Sequence, residues 1–355
     1  MIQAVREQAA GISAILRPLL GEGDANANDS DVPSPLLYIH YLYRDWAWPS
    51  DPDGENERAL RTAQSVMDGK PVGRLLVLGA GACRLAYDLH CADPTAETTV
   101  VDIDPLLFAA AHTVIRGGSV TIREANAEID ELGHVDKEWT LRAPQGALDD
   151  DRFHFRIADG LDAPFAAHTF DTVLTPWFID LVPTDLRDFI GEVFRLLKPG
   201  GRWINLGPLR YRPEIPVIHR FSREEVFELA RRAGFRIDRW IVESVPYLVS
   251  KLNGRGKVES VLAFSANPVS GTTDTELPPA WLLFRHLPIP VFPGLSMFVS
   301  DDPAEQMVAS AIDGRHTLDD IAAIIASKAG DTGLTMTQFR KIVRRCLMDI
   351  HPGCL

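Results

Sequence analysis

The chain has 355 residues, of which 46% are hydrophobic and 24% are charged, a composition typical of a folded soluble protein of one large domain or two. A formal net charge of −13 argues against a protein whose main task is to bind the phosphate backbone of nucleic acids.

The spacing of cysteines and histidines and the length of the apolar runs exclude further classes of protein. The four cysteines form no C-x-x-C pair, which argues against a zinc ribbon and suits a reducing compartment. No apolar run approaches the ~20 residues that a membrane span needs. The ten histidines show no metal-ligand spacing such as H-x-x-x-H. We therefore expect a cytoplasmic protein without a metal, a nucleic-acid partner or a membrane partner.

The first 70 residues are predicted to form an N-terminal helical segment. Residues 1–20 have amphipathic helical spacing, and residues 56–67 have it again. Residues 21–35 are small, acidic and rich in proline and glycine, which predicts a loop. Residues 38–49 are strongly aromatic, and we expect them to pack a helix onto the following domain, with a lid over a binding site as the alternative.

Residues 71–268 alternate between short β-branched runs and helical stretches. Strands are predicted at 74–78, 98–103, 153–158, 169–175, 202–206, 235–242 and 258–265, and helices at 83–91, 105–116, 184–197 and 222–233. This alternation predicts an α/β fold with a doubly wound parallel sheet. The last two strands have no helix between them and are expected to pair antiparallel at the sheet edge. Residues 117–152 are polar and are interpreted as an insertion.

A break in composition at residues 267–279 predicts a linker before a smaller C-terminal domain. Residues 277–355 hold two short apolar runs followed by three helices. The apolar runs lie at 281–287 and 295–300, and the helices are predicted at 304–312, 318–329 and 335–350.

An apolar strand runs directly into Gly79-Ala80-Gly81 and then into a helix, which predicts a loop where a ligand approaches the backbone closely. Asp102 follows about 20 residues later at a strand end, where an acidic side chain can bind ribose hydroxyls. Arg84 stands where the pyrophosphate fingerprint has its third glycine. S-adenosylmethionine, a nucleoside without phosphate, therefore fits better than NAD.

The third strand of this domain ends in Asp159-Gly160. An aspartate at this place can accept a hydrogen bond from the amino group of adenine. A turn aspartate before a glycine is the alternative interpretation.

Four blocks of sequence resemble the class I methyltransferases and, more narrowly, the carnosine N-methyltransferase family. They are R-D-W at 44–46 with E-R at 57–58, V-L-G-A-G-x-x-R-L-A at 77–86, F-D-T-V through W-F-I-D at 170–180, and L-K-P-G-G through W-I-N-L-G-P-L-R-Y at 197–211. The W-I-N-L-G-P-L-x-Y element is the most specific of these. The resemblance covers residues 38–266 and implies a seven-stranded Rossmann-like methyltransferase sheet.

The resemblance also implies roles for single residues. Arg44 would bind the methionine end of S-adenosylmethionine, and Gly79, Ala80 and Gly81 would form the cofactor loop. Asp102 would bind the ribose, Asp159 and Gly160 would line the adenine, and Pro176 would lie near the sulfonium. Asp180 and Tyr247 would contact the substrate. The family motif ends in Y-H, whereas this chain has Arg212 after Tyr211. Arg212 is expected to pair with a substrate carboxylate, with an exposed arginine as the alternative.

Asp180 has a chemical interpretation of its own. If its carboxylate accepts a hydrogen bond from one N–H of an imidazole, the other ring nitrogen holds its lone pair toward the methyl donor. The alternative is that Asp180 lies in a loop that caps the following helix.

The C-terminal residues carry a second, shorter resemblance. Residues 312–322 are similar to the D-G-x-x-T-x-x-x-I-A pattern of peptide-binding modules like those of pyrroloquinoline quinone biosynthesis, which implies a small winged-helix-like α+β domain and a peptide or protein partner. A packing domain with a solvated face is the alternative.

Taken together, the sequence predicts an S-adenosylmethionine-dependent N-methyltransferase that acts on an imidazole nitrogen of an amino-acid derivative or peptide. Two alternatives stay open. One is a catalytically altered S-adenosylmethionine-binding protein that recruits a peptide, and the other is an NAD-dependent oxidoreductase.

Overall fold

The fold is taken from a computed structural model. It describes residues 38–48, 53–125, 136–148, 151–183, 185–216, 219–250, 252, 256–269, 280–283, 285, 287–330 and 332–351. The predicted helix at 1–20, the predicted loop at 21–35 and most of the predicted linker at 267–279 lie outside the described residues.

Nine strands are found in the described part of the chain. They are β1 Arg74–Leu78, β2 Glu97–Asp102, β3 Val120–Ala125, β4 Asp136–Leu141, β5 Phe153–Ile157, β6 Phe170–Pro176, β7 Leu197–Gly207, β8 Phe235–Tyr247 and β9 Lys257–Pro268. Seven of them form one sheet in the order β5-β2-β1-β6-β7-β9-β8. The first five in this order run parallel, and β9 pairs antiparallel with both β7 and β8. The predicted doubly wound, seven-stranded sheet with an antiparallel edge is confirmed.

The helices follow the predicted order. They are α1 Ile39–Leu42, α2 Glu55–Met67, α3 Arg84–Ala92, α4 Pro105–Ile115, α5 Leu186–Leu196, α6 Arg223–Arg232, α7 Ala280–Leu283, α8 Pro303–Ala311, α9 Leu318–Ala329 and α10 Met336–Ile350. A π-helical turn over Tyr43–Ala47 continues α1. Among the described residues, no helix has the length and apolar character needed to cross a membrane.

Helices cover both faces of the sheet, and successive side chains of a strand point alternately into the two hydrophobic clusters. On β1, Leu75 and Val77 join the hydrophobic cluster beneath α1 to α4, whereas Leu76 and Leu78 join the cluster beneath α5 and α6. The strand order reverses at β1, since β2 lies on one side of it and β6 on the other. At such a switch point the carboxyl ends of neighbouring strands leave a crevice for a ligand.

Residues 117–152, interpreted as an insertion, contain an antiparallel hairpin of β3 and β4. A buried carboxylate fastens this hairpin to the rest of the protein. Glu124 accepts hydrogen bonds from the indole N–H groups of Trp48 and Trp139, both at 2.9 Å, and from the Ser250 hydroxyl at 2.6 Å. The sequence pattern missed these strands because their outer faces are polar and exposed.

Helices α8, α9 and α10 pack around a hydrophobic cluster of their own, which includes Trp281 and Leu282. The predicted winged-helix character is not supported. In the described part of residues 280–351, the only β pairing is an isolated bridge between Pro288 and Thr317. The two apolar runs instead give the short helix α7 and a 3-10 turn at Leu295–Met297.

The D-G-x-x-T pattern has a local structural role in this C-terminal part. Asp313 accepts hydrogen bonds from the backbone N–H groups of Arg315 and His316, both at 2.9 Å. Thr317 caps α9 in a reciprocal arrangement with Asp320, as a capping box does. These contacts account for the pattern through the turn and helix start that it forms.

Arg202 supplies a buried polar contact on which the packing of α2 against the sheet depends. Its guanidinium donates to the carbonyl oxygens of Met67 at 3.0 Å, Lys70 at 2.9 Å and Pro71 at 2.6 Å. We expect Arg202→Leu to lower the free energy of unfolding by about 2–4 kcal/mol, because buried acceptors lose their donors. Urea titration measures this change.

Arg236→Leu is the matched control, since the Arg236 side chain is 68% exposed on β8. It should change the free energy of unfolding by less than about 0.5 kcal/mol. Equal effects of the two substitutions would contradict the structural role of Arg202.

Candidate functional site

A cavity of about 800 Å³ opens at the carboxyl ends of the parallel strands, where the strand order reverses. We call it the main cavity. All eleven residues predicted as site residues line it: Arg44, Gly79, Ala80, Gly81, Asp102, Asp159, Gly160, Pro176, Asp180, Arg212 and Tyr247. Residues from distant parts of the sequence therefore meet at one place.

The glycine loop after β1 has the backbone shape that only glycine adopts without strain. Gly79 has φ +71° and Gly81 has φ +55°. A Cβ on Gly79 would lie 2.3 Å from Cδ2 of Phe178. The N–H groups of Gly79 and Ala80 both donate to the carbonyl oxygen of Val101, at 2.9 and 3.0 Å, which joins the loop to the end of β2.

Asp102 supports this loop directly. Its Oδ2 accepts the N–H of Gly81 at 2.7 Å, and its Oδ1 accepts the N–H of Asp104 at 3.0 Å. Each oxygen keeps a second lone pair for a ligand. Burial raises the pKa of Asp102. The residue therefore shapes the loop and can still accept hydrogen bonds from a ligand.

The loop after β5 is supported by the same phenylalanine as the glycine loop. A Cβ on Gly160 would lie 2.9 Å from Cζ of Phe178. Asp159 accepts the N–H of Leu161 at 2.9 Å, which fixes the turn. Phe178 thus packs against Gly79 and Gly160, two of the three glycines predicted to lie at the cofactor, and neither of these two positions has room for a side chain.

Arg44 lies in a compact group of charges. Its Nε donates to Asp45 at 2.5 Å, its Nη1 lies 3.4 Å from Glu55, and its guanidinium stands 4.9 Å above the Tyr41 ring. Glu55 also accepts the N–H of Leu248 at 2.6 Å. Burial raises the pKa of Glu55 to about 7. Sequence reasoning missed Glu55, because an acid in the first turn of a helix is already explained by the helix dipole.

Asp180 lies in a 3-10 turn at Ile179–Leu181 and is buried. Within the described part of the chain, its Oδ1 has no hydrogen-bond partner. Burial raises its pKa to about 7, with a further contribution from Glu259, while the backbone N–H of Arg210 and the charge of Arg212 oppose the shift. Asp185, and not Asp180, caps α5. Asp180 therefore lines the main cavity and carries a buried oxygen that has no donor among the described residues.

An aromatic wall stands beside Asp180. The Tyr247 hydroxyl lies 3.1 Å from that of Tyr41, and the ring centroids of Trp177 and Tyr247 are 5.9 Å apart. Glu259 accepts the indole N–H of Trp177 at 2.9 Å and the ammonium group of Lys257 at 2.5 Å. Burial raises the pKa of Tyr247, so the phenol stays neutral.

Lys257 and Glu259 were also missed by sequence reasoning. A signal for them exists, because residues two apart on a strand share one face and β9 begins beside the cavity. The aromatic segment at residues 38–49 divides between the two predicted roles. Tyr43 and Trp46 are buried in the core, whereas Tyr38 and Tyr41 line the main cavity.

The arrangement combines two different chemistries. One end of the cavity has a close-fitting glycine loop and strand-end carboxylates, which suit a nucleoside. The other end has a buried carboxylate acceptor beside aromatic rings, which suits a planar group with N–H donors.

Part of the chain is similar to proteins of known family. The family model for carnosine N-methyltransferase matches residues 142–251, which include Asp159, Pro176, Asp180, Arg212 and Tyr247. The Drosophila melanogaster protein named carnosine N-methyltransferase unmet is 29% identical over 147 residues, covering 39% of this chain and 32% of the fly protein. The carnosine N-methyltransferase of Rattus norvegicus is 36% identical over 74 residues, covering 20% of this chain and 18% of the rat protein.

Among solved structures, phosphoethanolamine N-methyltransferase 2 of Haemonchus contortus, in complex with S-adenosyl-L-methionine, has a TM-score of 0.43 at 16% identity. That alignment covers 66% of this chain and 57% of the other. The chain spans about a third or less of the length of the curated relatives named here. Residues 142–251 are similar to carnosine N-methyltransferases, and the family match supports the prediction of a methyltransferase with S-adenosylmethionine as its cofactor.

Proposed function

We propose that the protein is an S-adenosylmethionine-dependent N-methyltransferase that methylates an imidazole nitrogen of an amino-acid derivative or peptide. One observation carries the substrate part of this proposal. Asp180 presents a buried oxygen without a partner among the described residues, in the same cavity as the glycine loop. A buried acceptor without a donor is costly, so a substrate N–H that reaches it gains binding energy.

The glycine loop gives the proposal its cofactor end. Gly81 has φ +55° and open space where a Cβ would lie, so a ligand can approach its backbone, and Asp102 has lone pairs for the ribose hydroxyls. When bound, S-adenosylmethionine supplies a methyl group on a positively charged sulfur. Arg44 would hold the methionine end and Pro176 would lie near the sulfonium. NAD fits less well because Arg84, at the third glycine position, is buried and paired with Asp88 at 2.8 Å.

The substrate residues then act by orientation. The Asp180 carboxylate would accept one imidazole N–H, which leaves the lone pair of the other ring nitrogen directed toward the methyl group. Positioning two reactants in line supplies much of the acceleration that such a displacement needs. Tyr247 would pack against the imidazole as a neutral phenol. Arg212 would pair with a carboxylate of the substrate, which favours an amino acid or peptide over a simple amine.

The role of the C-terminal part, residues 277–355, in binding a peptide or protein partner stays a prediction from the sequence pattern. One group of ion pairs connects this part to the cofactor end. Arg285 and Arg340 pair with Asp162, which lies in the loop that follows Asp159 and Gly160. We propose that the C-terminal part holds that loop in place.

The cofactor assignment is tested by Asp102→Ala. We expect calorimetry to show that S-adenosylhomocysteine binds about 2–3 kcal/mol more weakly to this variant, because the ribose hydroxyls lose their acceptor and the Gly81 N–H loses its partner. Asp238→Ala, at a surface ion pair with Arg236 on β8, serves as the control and should bind like the wild type. If NAD binds the wild-type protein and S-adenosylhomocysteine does not, the cofactor assignment is wrong.

The substrate assignment is tested through the ionisation of Asp180. The pKa of the Asp180 carboxyl is raised to about 7. At a pH below this value the carboxyl is protonated and no longer accepts the imidazole N–H. Imidazole itself gains a proton below about pH 6.5 and loses its nucleophilic lone pair. We therefore expect kcat/KM for an imidazole substrate to rise between about pH 5.5 and 8 with a limiting slope near two on a logarithmic plot, one from each ionisation.

Asp180→Asn should keep its affinity for S-adenosylhomocysteine, lower turnover about a hundredfold or more, and leave a slope near one, which belongs to the substrate alone. Steady-state rates across this pH range give both values. Unchanged turnover in Asp180→Asn would remove Asp180 from the substrate site.

A further inference from the structure

A second cavity, of about 320 Å³, lies beside the main cavity, and we call it the side cavity. The two cavities share Pro208, Arg210 and Glu259 as lining residues. Pro208 and Arg210 belong to the segment that follows β7, in the W-I-N-L-G-P-L-R-Y element. This segment therefore lies between the two cavities, and Arg210 lines both of them.

The floor of the side cavity is apolar although it faces the surface. Val242 on β8 and Val258 on β9 are 49% and 68% exposed, and Leu262 lines the cavity with them. Trp240, which is 47% exposed, extends this apolar surface. The guanidinium of Arg223 lies over its ring, 4.3 Å from the ring centroid. Exposed apolar side chains grouped in a concave site are typical of a place where an apolar group binds.

The charges around the segment that follows β7 complement an anion. Within the part of the chain that the structure describes, neither Arg210 nor Arg212 forms an ion pair, and both are exposed. Glu259, by contrast, is buried and engaged with Trp177 and Lys257. In a protein of net charge −13, the exposed Arg210 guanidinium, which forms no ion pair among the described residues, favours an anionic group at this place.

We propose that the side cavity binds the part of the substrate that extends beyond the methylated imidazole. An apolar side chain of this extension lies against Val242, Val258 and Leu262, and the substrate carboxylate that the proposed function pairs with Arg212 also pairs with Arg210. The side cavity then selects for an apolar residue next to the one that bears the imidazole. This inference rests on the proposed function, because it requires an imidazole held at Asp180 in the main cavity.

The test measures binding to the full chain saturated with S-adenosylhomocysteine, so that no methyl transfer occurs. Three probes are compared by calorimetry: histidine amide, the dipeptide His-Leu as its amide, and His-Leu with a free carboxylate. We expect the leucine side chain to improve affinity about tenfold and the carboxylate about tenfold again.

Two substitutions then show which residues produce the improvement in affinity. Val258→Asp should abolish the improvement from leucine and from the carboxylate and leave the affinity for histidine amide unchanged. Arg210→Gln should remove the improvement from the carboxylate. Val299→Asp makes the same substitution at a valine that is 90% exposed in the C-terminal part, and it should bind all three probes like the wild type.

The outcomes separate the two proposals. Equal affinity for the three probes, or a Val258→Asp variant that keeps the full gain, overturns the side cavity as a subsite and leaves the proposed function intact. Binding of S-adenosylhomocysteine without binding of any imidazole probe overturns the proposed substrate class and this inference together.

Discussion

The turn that follows β6 is the constraint on which both halves of the site depend. Trp177 has φ +47° there, and its N–H donates to the carbonyl oxygen of Leu206 at 2.6 Å. This close approach needs a glycine on the neighbouring strand, because a Cβ on Gly207 would lie 2.9 Å from the Trp177 nitrogen. The strained turn places Phe178 against the cofactor-side glycines and Asp180 at the substrate end. Gly207, the glycine of the W-I-N-L-G-P element, is therefore required by the turn that follows β6 and not by a ligand.

A second property of the site is that it holds two buried carboxyl groups with raised pKa values. Asp180 and Glu55 are both buried carboxyl groups whose pKa is raised to about 7 by loss of solvent. Groups of this kind ionise more readily when a positive charge or a hydrogen-bond donor reaches them. A cationic sulfonium and an imidazole N–H are ligands of that type. The burial that raises these two pKa values thus favours the ligands that we propose.

The order of strands and helices could be predicted from the sequence because it depends on local periodicity and on turn residues near each element. The eleven predicted residues line one cavity because most of them lie near strand ends that the sheet brings together, whereas Arg44 lies in the π-helical turn and was named through the family resemblance alone. Their partners were harder to find. Glu55 meets Leu248, and Glu259 meets Trp177, and these contacts join distant parts of the chain whose alignment no local pattern encodes. The β3–β4 hairpin was missed because its outer faces are polar and exposed, and the contacts of Glu124 with Trp48 and Ser250 join it to distant segments.

The most direct test of the central claim is methyl transfer itself. The full chain is incubated with S-adenosylmethionine that carries a trideuterated methyl group, together with histidine, histidine-containing dipeptides and simple amines, and the products are analysed by mass spectrometry. We expect one labelled methyl on an imidazole nitrogen and none on the amines. Label on an amine or oxygen alone, or no labelled product from a protein that binds S-adenosylhomocysteine, would contradict the proposed methylation of imidazole.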